Sequence, residues 1–509
     1  MKTSFLIVGI LLSSQLFAQS YIEQGLMFSR TSVPGTARSV GTGNAFGSVG
    51  ADLGSVGINP AGLGLYRSFD ISLTPALSIV NNEAEFNGSF VNKKKVAPSL
   101  NQAGIVFTKL FKQNKGTEFT FNSNSLNSLS FAINYQRQSA FSRLQVFEGY
   151  NPYNSAMDVY AYYINSTGLP FNPQNYPVEM LLAFDSYMLD SANGNFFSTI
   201  PSKVGQSGQI TKRGSIDQID LALGGNVNDK FYFGAGVGIN ILTAFDDSYF
   251  DEYRLVDSTL GWNNYTLQTN LRTTGVGVNA RFGFIYRPAS FMRFGLAYHI
   301  PTFYSATETY SAVLTVDNDT NYYSQGAELS PTGYKFRSPM KGVASVSFYL
   351  KENGFFSVDY EFLNYGGMRY KFGDYPEFTT VVNDAIKKGN TFGHNVRAGF
   401  EGAYKTLRVR TGYNYSSTPY KKDNITKGYR EDRHSASIGL GYRGTRFYAD
   451  FGYVLGFTKD ATYPYADFQI KNTVMSHNLL LTLGWKISKS NTPAKRVRRA
   501  PVESADRNF

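Results

Sequence analysis

Apolar and polar residues alternate with a period of two along most of the chain. Between Phe231 and Ile241 the odd positions are apolar and the even positions are mostly glycine or polar. Because successive side chains of a strand point to opposite faces, this pattern predicts strands with one apolar and one polar face. About fourteen such segments begin near Ser68, Asn101, Leu126, Ser215, Phe231, Tyr265, Phe291, Tyr334, Phe355, Thr391, Leu407, Arg433, Phe447 and Phe468.

The connections between these segments alternate between short and long. Tight turns are predicted at 228–230, 287–290, 352–354, 405–406 and 444–445, and the connections that lie between them are long. This alternation is typical of outer-membrane barrels, which have short periplasmic turns and longer outer loops. An even number of strands places both chain termini at the short-turn end, in the periplasm. The connection 113–125 is an exception, because it is long and falls on the short-turn side.

Strand length separates a membrane barrel from a soluble sheet. Many segments reach the roughly 9 to 11 residues that a tilted membrane strand requires, whereas strands of soluble sheets average about 5 to 6. The chain is also rich in aromatic residues and glycine, with 36 Tyr, 41 Phe and 49 Gly among 509 residues. We therefore expect an all-β protein, a transmembrane antiparallel β-barrel of about 14 strands. A soluble β-sandwich or propeller, which also alternates, is the alternative.

The two ends of the chain differ from the barrel region. Lys2, the apolar run at 5–12 and the small residue Ala18 predict a signal peptide, residues 1–18, that is removed on export. Trp485 suits the last aromatic residue of a barrel, and residues 489–509 are predicted to be a disordered periplasmic tail. The expected location is the outer membrane of a Gram-negative bacterium. The chain contains no Cys, so neither a cysteine-linked lipid anchor nor a disulfide is expected.

A glycine-rich segment lies between the predicted signal peptide and the first strand. It ends in "INPAGLGLYRS", and its candidate motif consists of Asp52, Asn59, Pro60, Ala61 and Gly62. Glycine permits the sharp turns and close backbone approach that a chain packed in a confined space requires. The segment resembles the N-terminal hatch of the FadL family, outer-membrane transporters of long-chain fatty acids and other hydrophobic compounds that include the TodX-type proteins. A disordered leader is the alternative.

The resemblance covers residues 36–67 specifically and the remaining chain by architecture only. It implies a fourteen-stranded barrel whose N-terminus folds into the lumen as a plug. Residues 19–66 would then form the hatch and residues 67–488 the barrel. The function implied is passive uptake of hydrophobic, fatty-acid-like small molecules, gated by the hatch.

The predicted wall contains a proline and several inward-facing charges. Pro75 lies within the first strand, where it removes a ladder hydrogen bond, so it favours an edge, a bulge or a gap. The resemblance implies that a kinked strand near the hatch opens the wall sideways, and Pro75 is the candidate for that kink; a plain bulge is the alternative. The predicted lumen charges are Arg281, Asp359, Glu361, Arg397, Glu401, Arg408 and Arg410. Those on consecutive strands are positioned to form cross-strand ion pairs. They either brace the lumen or grip the hatch or a ligand carboxylate.

The long connection 137–214 contains the apolar sequence "PVEMLLAFDSYMLD", which predicts a short amphipathic helix. In an outer loop, such a helix would either dock an apolar ligand first or pack over the mouth of the barrel. The sequence leaves these two roles open.

Catalytic and cofactor chemistry is not indicated. The histidines, His299, His394, His434 and His477, lack metal-ligand spacing, and no nucleophile motif or phosphate loop is present. We therefore predict no catalytic residue, no metal and no cofactor, and the chain is not expected to be an enzyme. The net charge of +11 is scattered, so nucleic acid is not an expected partner.

Three functions remain open from the sequence. The first is hydrophobic uptake, the second a partner-binding or scaffold barrel of a secretion machinery, and the third a barrel enzyme. An apolar, ligand-sized cavity beside the hatch would favour the first, and a lumen filled by ion pairs the second. The expected partners are outer-membrane lipid and lipopolysaccharide, a hydrophobic small-molecule ligand and the barrel assembly machinery.

Overall fold

The computed structural model describes residues 20–30, 34–111, 126–173, 175–200, 203–255, 262–318, 322–373, 375–422, 430–465 and 468–487. The predicted signal peptide 1–18, the connection 113–125 and the predicted tail 489–509 lie outside the described residues.

Strands dominate the structure, with a few short helices. The strands are β1 Phe69–Phe86, β2 Ser89–Leu110, β3 Leu126–Ala140, β4 Arg143–Asn151, β5 Leu189–Ala192, β6 Asn195–Ser198, β7 Val204–Val227, β8 Phe231–Tyr253, β9 Trp262–Ala289, β10 Met292–His299, β11 Phe303–Asn318, β12 Tyr322–Glu328, β13 Thr332–Arg337, β14 Lys341–Tyr349, β15 Gly354–Asn364, β16 Arg369–Phe372, β17 Phe392–Tyr404, β18 Leu407–Ser416, β19 Arg433–Arg443, β20 Phe447–Thr462 and β21 Ile470–Ile487. The helices are α1 at 20–29, α2 Ala37–Gly41, α3 Ala156–Thr167, α4 Val178–Asp185 and α5 Pro376–Gly389, with 3-10 helices at Leu53–Gly57, Pro60–Leu65 and Tyr365–Gly367. Within the described part of the chain, no helix is both long and apolar enough to cross a membrane.

Fourteen antiparallel strands close into a barrel, which confirms the predicted fold. Their order around the wall is β1, β2, β3, β7, β8, β9, β10, β14, β15, β17, β18, β19, β20 and β21. The last strand pairs with the first, from Ile487 opposite Phe69 to Lys471 opposite Glu85, and so closes the ring. The remaining strands of this sheet extend it beyond the barrel: β4 and β11 continue β3 and β10 along their neighbours.

The outward face carries an apolar band. On β8, Phe233, Val237 and Ile241 are each exposed by 45–47%, whereas the alternate residues between them are buried. The eleven residues 231–241 of this strand span about 25 Å along the barrel axis, given the rise and tilt of a barrel strand, which matches the apolar band of outer-membrane barrels. Above the band, β8 continues to Tyr253, so the wall extends beyond the membrane at the long-loop end.

Two strands are longer than the alternation predicts. β2 begins at Ser89 and not near Asn101, and β7 begins at Val204 and not near Ser215. Their upper halves stand above the apolar band, where the outer face no longer meets lipid, so the alternation that marks a membrane strand is absent. The connection between β1 and β2 is therefore a tight turn at Asn87 and Gly88, where a long outer loop was predicted.

The long connection 137–214 fills the mouth of the barrel. Helices α3 and α4 pack inside the raised wall, in an apolar cluster that includes Met157, Met180 and Leu182 from the loop and Phe250 from β8. At the start of α3 the buried Glu252 carboxylate accepts a hydrogen bond from the Ala156 amide at 2.7 Å, and burial raises the pKa of Glu252. Of the two roles left open for this loop, the structure shows packing over the mouth.

Charge placed on the outward face should interfere with membrane insertion. Leu481 lies on this face near the middle of the apolar band of β21 and is 43% exposed. Leu481→Arg is expected to destabilise the protein folded in lipid vesicles by about 2–4 kcal/mol, measured by urea titration. The control Thr473→Arg lies on the same face of β21 above the band and should cost about 0–1 kcal/mol. Equal losses would contradict the assignment of this face to lipid.

Candidate functional site: the hatch and the lumen

Residues 20–30 and 34–66 lie inside the barrel, where most of them are buried. Helix α1 lies toward the long-loop end, where Leu26 and Phe28 are buried against Tyr334 and Phe336 of β13. The expectation that both termini lie at the short-turn end stays a prediction, because residues 1–19 and 488–509 lie outside the described residues. Strand β21 ends at that end, whereas α1, the first described element, lies inside the barrel near the opposite end.

The motif residues hold the turns of the hatch through short-range hydrogen bonds. The Asp52 carboxylate accepts bonds from the Thr36 hydroxyl at 2.6 Å and from the Gly54 amide at 2.8 Å, so it ties α2 to the next 3-10 helix. The Asn59 side chain accepts from the Ala61 amide at 3.1 Å and donates to the Gly47 carbonyl at 2.6 Å.

Pro60 and Gly62 complete this turn. Pro60 begins the 3-10 helix Pro60–Leu65, a position that requires no backbone donor. Gly62 packs against the backbone of Gly50, where an added Cβ would lie 3.0 Å from the Gly50 Cα. Asp52, Asn59, Pro60, Ala61 and Gly62 thus lie in one compact, buried unit at the short-turn end of the lumen.

The barrel wall meets the hatch through inward-facing glycines. An added Cβ at any of these wall glycines would collide with hatch residues between Ala37 and Gly64; they are Gly224, Gly234, Gly283, Gly295, Gly399, Gly412 and Gly452. Glycine is needed at these positions because the two backbones approach each other closely. Their role is not predicted above, although glycine at the inward positions of the alternation was the available signal.

One ion-pair network joins the hatch to the wall. Arg38 of α2 donates to both carboxylate oxygens of Glu401, at 2.9 and 3.0 Å. Glu401 also accepts from Arg410 at 2.6 Å, and Arg410 lies 2.8 Å from Asp450, which pairs with Arg443 at 2.7 Å. Arg410 is fully buried. The predicted charges Glu401 and Arg410 therefore brace the wall and hold the hatch, through a partner, Arg38, that the sequence analysis did not identify.

Two further predicted charges, Arg281 and Asp359, contact the hatch. Arg281 pairs with the buried Asp220 and donates to the Gly57 carbonyl at 3.3 Å. The Asp359 carboxylate accepts from the Gly47 amide at 2.8 Å.

Glu361 and Arg397 form a cross-strand pair at 2.8 Å. Arg408 does not join the lumen network, because its guanidinium donates to the carbonyls of Lys405 and Leu407 in the turn at the barrel rim. The structure thus brings six of the seven predicted lumen charges into contact with the hatch or with another wall strand.

Pro75 coincides with a break in the strand ladder. The register between β1 and β2 shifts between Thr74 and Pro75, which leaves Asn101 as the extra residue of a bulge. The Asn101 side chain donates to the hatch carbonyl of Gly35 at 2.7 Å. On the other side, the ladder between β1 and β21 lacks pairs at Thr74 and Pro75. The wall is therefore bulged where it faces the start of α2.

A cavity of about 110 Å³ lies between the hatch and the wall. Phe28, Asn44 and Ile58 contribute to its hatch side, and Arg281 and Arg397 to its wall side. Most of its lining residues are polar or charged. This cavity is therefore not the apolar, ligand-sized cavity that would have favoured the uptake hypothesis.

Comparisons with known proteins give matches at the level of structure alone. No protein-family model and no curated protein sequence matches the chain. A FadL homologue of Pseudomonas aeruginosa superposes with a TM-score of 0.55 at 11% identity, covering 90% of this chain and 100% of that one. The Pseudomonas putida toluene transporter TodX superposes with a TM-score of 0.50 at 12% identity, covering 90% and 99% of the two chains. Together with the closed fourteen-stranded barrel, these matches show that the chain has the FadL/TodX-type fold.

Proposed function

We propose that this protein is an outer-membrane channel for the passive uptake of hydrophobic small molecules, with residues 19–66 acting as a movable hatch. The observation that carries the proposal is the N-terminal segment packed inside a closed barrel of the fold found in a toluene transporter and a FadL homologue. The hatch contacts the wall through backbone against glycine, through a few ion pairs and through small, separate apolar clusters. Such contacts permit a shift of the hatch without unfolding of the barrel.

The proposed route passes the bulge at Pro75. Behind it, the Ala37 amide donates to the Thr482 hydroxyl at 2.7 Å. A small apolar cluster of Ala37, Val40, Val454 and Leu480 lies beside it, with Ala76 packed against it. A displacement of α2 would uncover an apolar patch next to the interrupted ladder, where a hydrophobic ligand crosses the wall. Fatty acids are the ligand class suggested by the hatch resemblance.

The same proposal implies how the protein is exported, inserted and oriented in the outer membrane. The signal peptide directs export, the barrel assembly machinery inserts the chain, and the apolar band meets outer-membrane lipid and lipopolysaccharide. The short turns lie in the periplasm, together with the end of β21 and the tail 489–509.

A disulfide tether between the hatch and the wall tests the proposal. Because the chain has no Cys, the variant Ala37→Cys/Thr482→Cys can form only the engineered bond. Oxidised cells should lose uptake of radiolabelled oleate and toluene, because α2 can no longer leave the wall, and reduction should restore it. The single variants Ala37→Cys and Thr482→Cys, which cannot form the bond, should transport under both conditions. Undiminished uptake by the oxidised double variant would contradict a moving hatch.

A scaffold role is the second candidate, because ion pairs fill the region of the lumen around Glu401 and Arg410. Under that hypothesis the barrel is a fixed support for a partner protein of a secretion machinery, and the hatch never moves. The tether distinguishes the two hypotheses, because the function of a fixed support would not change when the hatch is linked to the wall. In that case secretion by the host cell would depend on the protein while oleate uptake would not.

A further inference from the structure

The cavity beside the hatch has an excess of positive charge in its wall. The lining residues include the cations Arg30, Arg281, Lys341, Arg397 and Arg433 but a single carboxylate, that of Glu361. The imbalance depends on how many of these cations have partners elsewhere.

Three of the five cations have carboxylate partners. Arg30 pairs with Glu431 at 3.0 Å, Arg397 pairs with Glu361 at 2.8 Å, and Arg281 pairs with Asp220. Among the described residues, neither Lys341 nor Arg433 has a carboxylate oxygen within 4.0 Å. Two cations on the wall of one cavity therefore have no carboxylate in direct contact, and the nearest negative charges, Glu361 for Lys341 and Glu431 for Arg433, act on them from a greater distance.

An uncompensated cation in a partly desolvated site is costly and is normally paired or neutralised. Lys341 can lose a proton, but a guanidinium stays charged at any physiological pH, so Arg433 retains its charge. Arg433 lies at the top of β19 and Lys341 at the start of β14, so the two charges come from different parts of the wall. The cavity between them is the place where a counter-ion would balance both.

Other polar groups also face this cavity without a hydrogen-bond partner. Arg281 is 3% exposed and Asn240 is 2% exposed, yet the Arg281 Nε and the Asn240 Nδ2 have no acceptor among the described residues. Both residues line the cavity. Buried donors of this kind are nearly always satisfied by protein, water or ligand. Amide oxygens without a donor line the same cavity, those of Asn44, Gln136, Asn279, Asn395 and Asn414. Water can satisfy these amide groups of both kinds. The excess of cations is therefore the feature that points to an anion.

The size and polarity of the cavity restrict the anion. A volume of about 110 Å³ is well below the roughly 300–1,000 Å³ of sites that hold drug-sized ligands, and it leaves no room for a long alkyl chain. We propose that the cavity is a binding site for a small hydrophilic oxyanion, a phosphate or a short-chain carboxylate, held by Lys341 and Arg433 with donors from Arg281 and Asn240.

This site goes beyond the proposed uptake of hydrophobic compounds, because its ligand is charged and water-soluble. Phe28 and Ile58 of the hatch also line the cavity, so a bound anion would link hatch and wall. The anion would thereby stabilise the closed arrangement.

Equilibrium binding to the purified full chain in detergent tests the proposal. Inorganic phosphate and acetate, titrated calorimetrically at constant ionic strength against a chloride background, should each bind and should compete with each other. Lys341→Gln and Arg433→Gln should each weaken phosphate binding by at least about tenfold, because each removes a charge-assisted hydrogen bond. The control Arg408→Gln removes a cation at the rim that does not line the cavity, and it should bind phosphate as the wild type does.

Heat-modifiable mobility on gels establishes that each variant is folded, and if one cation variant fails to fold, the other still gives the comparison. Absence of phosphate and acetate binding by the wild type would overturn the site. Undiminished binding by the folded cation variants would also overturn it. Dodecanoate that binds more tightly than acetate and displaces phosphate would overturn the hydrophilic assignment, since the anion would then be the head group of an amphiphile. The tether experiment measures uptake, so the two proposals can fail independently.

Discussion

Deletion of residues 21–57 should give a barrel that still assembles but admits small polar solutes. The wall closes through the pairing of β21 with β1, and none of those ladder bonds involves the deleted residues. The exposed lumen would be lined by polar and charged side chains such as Gln136, Asn279 and Arg281, so water would fill it. An open fourteen-stranded barrel lies between small filled barrels and the water-filled porins in size.

Liposome swelling in solutions of small sugars measures this effect. Vesicles with the wild-type protein should remain impermeable, and those with the deletion variant should swell. Deletion of residues 489–509, which lie outside the described structure, is the control and should leave both heat-modifiable mobility and impermeability unchanged. A deletion variant that folds without new permeability would show that the segment does not close the lumen.

A subtler version of the same experiment uses the wall glycines. Gly412→Val places a side chain where the hatch backbone of Thr42 and Gly43 now lies, so the hatch should be displaced and swelling should increase. The control is Gly342→Val, because an added Cβ at Gly342 meets no atom within 4 Å.

Replacement of Glu401 by Gln should destabilise the protein by about 3–5 kcal/mol, because breaking a buried ion pair leaves its partners uncompensated. Glu401 is the carboxylate shared by Arg38 and Arg410, and it is 5% exposed. Without it, Arg410 keeps Asp450, whereas Arg38 loses its ion-pair partner. Urea unfolding in lipid vesicles, compared with the wild type, gives the loss.

A second substitution separates the hatch contact from the wall contact. In the background Arg38→Met, Glu401→Gln should reduce the free energy of unfolding by less than it does in the wild type. The reason is that Arg38, the cation left without an ion-pair partner by Glu401→Gln, is already absent. The exposed carboxylate Glu83 provides the control, and Glu83→Gln should change the free energy of unfolding by less than about 0.5 kcal/mol. Equal costs of Glu401→Gln with and without Arg38 would mean that this pair does not hold the hatch.

The sequence determined the barrel, the number of its strands and the side of its short turns. Five strands begin at the predicted residues Leu126, Phe231, Leu407, Arg433 and Phe447. These features can be predicted from the sequence because the membrane imposes a local, period-two pattern on each strand, independent of its neighbours. The hatch segment was readable for a similar reason, since its glycines and the Asn59-Pro60 turn are local signals. The alternation was lost in the upper halves of β2 and β7, where the membrane no longer imposes it.

Only the tertiary structure decided which residues meet across the lumen. Arg38 and Glu401 are 363 residues apart in the chain, and neither the partner nor the distance is encoded in a local pattern. The same is true of the wall glycines, whose role depends on where the hatch backbone passes, and of Lys341 and Arg433, which share one cavity. The position of α1 near the long-loop end and the packing of α3 and α4 in the mouth likewise follow from closure of the barrel. Closure brings distant strands around one small lumen, and the contacts inside it depend on strand order, register and curvature together, which no single segment specifies.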